Sequence, residues 1–141
     1  MKKILLVGES WVSSATHYKG WDQFSSTTFH LGADELIDSL DSSLFQVDYM
    51  TSQDAAEKFP SKISDLQKYS AVIFSDIGSN TILLHPKVWI EGETFVNRLK
   101  LVKEYVQSGG SFLMVGGYLS FQGINGAARY KNTPIEEILP V

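Results

Sequence analysis

Apolar residues run from Ile4 through Val7 and stop at Gly8, the pattern of a strand covered on both faces by helices. Ala33, Leu36, Ile37 and Leu40 then recur at helical spacing, with Asp34 and Glu35 in the first turn, where the helix dipole favours acids. Phe45-Gln46-Val47-Asp48-Tyr49-Met50 alternates apolar and polar, as a strand nearer a sheet edge does. Ile63, Leu66 and Tyr69 predict a short helical turn after Phe59-Pro60, leading into a second buried strand over residues 71–76. From Thr94, read as an N-cap, the residues Phe95, Leu99, Val102 and Val106 share one stripe, which Ser108-Gly109-Gly110 stops. A third buried strand, Ser111 to Gly117, follows.

Alternating strands and helices imply parallel strands joined by right-handed crossovers. The expectation is an α/β fold: a flavodoxin-like three-layer sandwich with a mostly parallel sheet. Returns from helix to strand are short, whereas the stretches after the carboxyl ends of the three buried strands are long: residues 9–31, 77–93 and 117–132. Each exceeds the roughly 12 to 15 residues beyond which a loop in a compact domain is usually functional or disordered. Ligands of open α/β sheets bind at that edge, near the point where strand order reverses. The three stretches hold Glu9, Ser10, Asp76, Gly78, Asn80, Gly117, Ser120 and Arg129, the candidate ligand-binding residues, among Trp11, Trp21, Trp89, Tyr118 and Tyr130. Aromatic walls with a few polar groups suit a small polar molecule such as a sugar or an amide. Ile77-Gly78-Ser79-Asn80 is a turn whose amides are candidates for an anion or oxyanion pocket. Arg129 suits either a carboxylate ligand or an internal ion pair with Glu136 or Glu137.

Composition narrows the chemistry. At 141 residues the chain fits one domain, and a net charge of −4 supplies no positive field for a nucleic-acid backbone. No apolar run is long enough for a membrane span, and no signal peptide is recognisable, so a cytoplasmic protein is expected. There is no cysteine, and His17, His30 and His85 lack metal-ligand spacing, so no metal is expected. Neither G-x-G-x-x-G nor G-x-x-x-x-G-K-[ST] occurs, and no cofactor is expected. Ser10 and Ser120 lie outside any G-x-S-x-G elbow.

The opening Lys3 to Ser10, the turn Phe74-Ser75-Asp76-Ile77-Gly78-Ser79-Asn80, and Gly116 to Gly123 with Ala128 to Val141 together resemble the glutamine-amidotransferase-like family of bacterial cytoplasmic proteins. The family lies within the class I glutamine amidotransferase-like superfamily, alongside the trehalose-utilisation-like proteins. The resemblance spans residues 1–141 as a single domain and implies longer relatives, so the chain is expected to be incomplete at its C-terminus. It implies an oxyanion glycine, which falls at Gly78, and a cysteine elbow, which falls at Val115-Gly116-Gly117-Tyr118. Neither glycine nor tyrosine forms a thioester, so glutamine hydrolysis by that route is excluded here. Two expectations remain: a protein without amidotransferase chemistry that binds a small polar metabolite, and a homo-oligomeric assembly protein without a small ligand. A cysteine-independent hydrolase is a third.

Overall fold

A computed structural model describes residues 1–141. Its strands are β1 (Lys2–Gly8), β2 (Ser10–Lys19), β3 (Asp22–Leu31), β4 (Phe45–Met50), β5 (Ala71–Ser75) and β6 (Ser111–Val115). Its helices are α1 (Asp34–Ser39), α2 (Ser52–Lys58), α3 (Ile63–Leu66), α4 (Ser79–Leu83), α5 (Pro86–Trp89) and α6 (Arg98–Gln107). Four strands form a parallel sheet in the order β4-β1-β5-β6. Counted among themselves they run 2-1-3-4, the start of the flavodoxin-like order. Because β1 has β4 on one side and β5 on the other, strand order reverses at β1.

The period-two alternation of β1 sends Leu5 and Val7 to one face and Ile4 and Leu6 to the other, and all four are buried. The first face carries the main core, where Val72, Phe74 and Met114 meet Ala55, Leu66, Ile82, Leu99, Val102 and Tyr105 from α2, α3, α4 and α6. The second face is covered by α1, whose Ile37, flanked by Ala33 and Leu40, packs on Ile4, Leu6 and Ile73. That cover ends before β6, so Leu113 and Val115 are exposed. The buried strand expected over residues 111–117 is therefore a half-buried edge strand ending at Val115.

Two further expectations are corrected. The first long excursion, residues 9–31, is a hairpin rather than a loop: β2 pairs with β3 through ten residue pairs, from Ser10 with Leu31 to Lys19 with Asp22. Gly20 closes it with φ of +65° at the first turn position, which suits a two-residue hairpin connection. Thr94 does not cap a helix. The cap of α6 is Asn97, whose side chain accepts the Lys100 N–H at 3.0 Å, while Phe95 stacks on His85 at 4.2 Å. Helix α2, capped by Thr51 through the Asp54 N–H, had no apolar stripe to announce it.

One buried charge ties the helical layer together. The Arg98 side chain, wholly buried, donates to the Ile82 carbonyl at 2.6 Å and the Ala56 carbonyl at 2.8 Å. Longer bonds of 3.3 to 3.4 Å reach Ala55, Phe59 and Thr81. These carbonyls belong to the ends of α2 and α4, where helices leave acceptors unsatisfied and concentrate negative dipole.

Candidate functional site

The carboxyl ends of β1 and β5 lie side by side at the reversal of strand order. Gly8 has φ of +105°, and a Cβ there would sit 2.0 Å from the Ser75 carbonyl oxygen, so the chain can turn over β5 only with glycine. The Glu9 N–H then donates to that carbonyl at 2.6 Å. Glu9 and Asp76, the residues directly after the two strands, both adopt left-handed backbone conformations, with φ of +47° and +50°. Such conformations are costly for residues with a Cβ and occur where surrounding structure enforces them.

Both side chains are anchored through one oxygen. Glu9 Oε2 accepts from Ser75 Oγ at 2.5 Å, and Asp76 Oδ1 accepts the Leu119 N–H at 2.7 Å. Tyr49 donates to the Glu9 carbonyl at 2.8 Å, and burial followed by the Glu9 charge raises its pKa. Glu9 and Asp76 share an open concavity with Gly116, Gly117 and the exposed Tyr118. Gly117 lies so close to Asp76 that a Cβ would meet Oδ1 at 3.0 Å. The charged groups of this surface are the Glu9 and Asp76 carboxylates, with no cation among the lining side chains. It accordingly suits a ligand rich in hydrogen-bond donors.

Of the eight residues singled out in the sequence, Glu9, Asp76 and Gly117 come together; the other five lie elsewhere. Ser10 is buried, donating to Gln53 Oε1 at 3.1 Å and accepting the Ser52 N–H at 2.8 Å. Ser120 is also buried and donates to the Val115 carbonyl at 2.5 Å. Neither hydroxyl has a base beside it. Gly78 packs against the backbone of Ala127 and Ala128, and the Ser79 N–H is taken by the Ala128 carbonyl at 2.9 Å. The third excursion thus closes over the expected oxyanion turn, and the Tyr130 hydroxyl, donating to the Ile77 carbonyl at 2.5 Å, fastens it. Burial raises the Tyr130 pKa. Asn80 faces a separate depression with Ala56, Thr81, Leu84 and Trp89. Arg129 is exposed and makes no ion pair, because Glu137 pairs with Lys103 and Glu136 accepts the Asn132 N–H at 2.6 Å.

His85 is used structurally, accepting the Lys87 N–H through Nδ1 at 3.1 Å, while His17 and His30 lie on the hairpin. Tyr118, read in the sequence as one of the aromatic walls, joins the concavity, and so does Gly116, which was not singled out; its place directly after β6, beside Gly117, was the available signal.

No curated protein matches the sequence. Among solved structures, the chain is similar to cytoplasmic protein STM3548 from Salmonella typhimurium, at 43% identity and a TM-score of 0.93. That alignment covers 98% of this chain and 56% of the Salmonella chain. Cytoplasmic protein STM1381 from Salmonella typhimurium LT2 gives 44% identity and a TM-score of 0.93, over 99% of this chain and 57% of that one. The chain therefore spans somewhat over half the length of these relatives, and such coverage takes in the hairpin. No helix is long and apolar enough to cross a membrane. A family model described as "Putative glutamine amidotransferase" matches residues 3–141, and the chain belongs to that glutamine-amidotransferase-like family.

Proposed function

We propose that this chain binds a small polar, donor-rich molecule, of the sugar, amine or amide class, between the carboxyl ends of β1 and β5, and that it acts in the cytoplasm without amidotransferase chemistry. The observation that carries the reading is the pair Glu9 and Asp76. Two acids occupy matching left-handed positions at the reversal of strand order, each tied by one oxygen and facing the same concavity. Carboxylates held in this way accept hydrogen bonds from hydroxyl or amino groups, and Tyr118 offers an aromatic surface for the carbon skeleton. The Gly116 and Gly117 positions replace the elbow nucleophile with open backbone, so the site supports recognition and no acyl transfer.

A thermal-shift screen with polyols, sugars, amines, amides and dicarboxylates tests the proposal. A ligand at about 100 times its Kd adds about 2.7 kcal/mol to the native state, equivalent to a rise of about 5 to 10 °C at this chain length. Donor-rich compounds should give that rise, and Glu9→Gln or Asp76→Asn should remove it while leaving the unliganded protein folded. A rise produced only by dicarboxylates, or one unaffected by both substitutions, refutes the reading.

A further inference from the structure

The β2–β3 hairpin stands off the body as an arm, and it carries Trp11, Val12, Tyr18, Trp21, Phe24, Phe29 and Leu31, seven of the twenty large hydrophobics exposed in the whole chain. A lone two-stranded ribbon is marginally stable in water, and both faces of this one are open to a cover: Trp11 and Phe24 lie exposed on one, Val12, Tyr18, Phe29 and Leu31 on the other, and Trp21 at the turn. The arm has no proline, and its only charges are Lys19 and Asp22 at the tip, so the devices that keep exposed ribbons apart are missing along its length.

We propose that the cover is the same arm of a second copy of this chain. The face holding the odd-numbered residues of β2 has a two-fold pattern. It begins with the stacked pair Trp11 and His30, centroids 5.1 Å apart, and ends with the stacked pair His17 and Phe24 at 4.7 Å. Between them lie only small residues, Ser13 opposite Thr28 and Ala15 opposite Ser26. Thr28 and Ser26 hold the two imidazoles, through contacts of 2.8 Å to His30 Nε2 and 3.1 Å to His17 Nε2.

Laid face to face and antiparallel about the middle of this pattern, two arms match throughout. Trp11 meets the partner's His17, His30 meets the partner's Phe24, and the small residues meet each other. The same register brings Lys19, which makes no ion pair within its own chain, to the partner's Glu9. Glu9 belongs to this face: a Cβ on Gly32 would touch both Glu9 Oε1 at 3.1 Å and the Trp11 ring at 3.2 Å. Strands of ten residues are about 34 Å long, and apposing two such aromatic faces removes on the order of 1,000 Å² from water, the lower bound for a specific interface. A two-fold contact of this kind closes on itself and leads to a dimer rather than a fibre.

Sedimentation equilibrium over a concentration series tests the proposal. The wild-type chain should dimerise at about 10 μM or below, and Trp11→Ser with Phe24→Ser should weaken dimerisation at least about tenfold. Val12→Ser with Tyr18→Ser, on the opposite face of the arm, should change it less than about threefold. All four side chains are exposed, so unchanged melting of the body verifies folding. Because the chain has no cysteine, Ser13→Cys and Ala15→Cys give single reactive sites. A short bismaleimide should link the two variants when mixed far faster than it links a mixture of Val12→Cys with Thr16→Cys. A monomeric wild type at about 200 μM, stronger disruption from the opposite face, or equal linking in the two mixtures would each overturn the proposal. The dimer shares Glu9 with the proposed ligand site, but every outcome here is read without a small molecule present, so failure of the dimer and failure of ligand binding are distinguishable.

Discussion

Replacing Arg98 by methionine isolates the largest polar contribution visible in the fold. The variant keeps an unbranched side chain of similar length and removes all five carbonyl bonds, two of them short at 2.6 and 2.8 Å. A hydrogen bond from a charged donor contributes about 1.5 to 3 kcal/mol. The two short bonds therefore account for about 3 to 6 kcal/mol, and the three long ones add little. Methionine recovers part of this, because burying the guanidinium has a desolvation cost, which also lowers its pKa to about 10 and leaves it charged at neutral pH. A net loss of about 3 to 4 kcal/mol follows, against a total of about 5 to 15 kcal/mol for a domain. Urea unfolding at pH 7 measures it directly, and at about 2 to 4 °C per kcal/mol the melting temperature should fall by about 10 °C. Arg98→Lys, which keeps the charge but loses the planar fork, should cost about half as much. A loss below about 1 kcal/mol for the methionine variant would refute the view that the ends of α2 and α4 are held through this side chain.

Two smaller perturbations test the local assignments. Asn97→Ala should cost about 1 kcal/mol in urea unfolding and Thr94→Ala close to nothing, because only Asn97 accepts a backbone N–H of α6; equal losses would return the cap to Thr94. The Tyr69 pKa is raised to about 12, by burial first and then by its hydrogen bond to Asp48 at 3.0 Å. Its contribution is therefore fully present below pH about 10 and lost as pH rises toward 12. Tyr69→Phe should make the decline of stability between those pH values shallower than in the wild type, as read from urea midpoints, and an unchanged slope would refute the assignment.

The sheet was legible because its strands obey simple burial rules. Ile4 to Val7 and Val72 to Phe74 are continuous apolar runs, and continuous runs belong to strands covered on both faces. β4 reads as an edge from its alternation and is one. The run at Phe112 to Val115 misled because the same composition can face solvent when helices cover only part of a sheet, and apolar residues on a surface are common. The hairpin was hidden for a related reason. Its strands have no buried face, so no hydrophobic period marks them, and only the serine, threonine and aromatic content with Gly20 between two equal arms spoke for a ribbon. Arg98 was unreadable because its partners are main-chain carbonyls at helix ends, whose positions leave no residue signature.

The candidate site was half legible, and the division follows from what position alone can specify. A residue directly after a parallel strand lies at the carboxyl edge whatever its neighbours do, which is why Glu9, Asp76 and Gly116 come together, with Gly117 next in the chain. Residues further along an excursion depend on how it folds back, and Ser10, Gly78 and Ser120 were drawn into main-chain contacts instead. The backbone at Glu9 adds an independent argument. Glycine would occupy φ of +47° without strain, and glycine already stands next door at Gly8, yet a long acidic side chain is kept in a conformation that costs about 1 kcal/mol or more. Its bond to Ser75, a buried hydroxyl whose acceptor is the Glu9 carboxylate, repays part of that. On the proposed reading, a carboxylate required at that edge for a ligand's donors accounts for the remainder, and Glu9→Gln, which leaves the backbone unchanged and an acceptor for Ser75 in place, tests the part that depends on the charge.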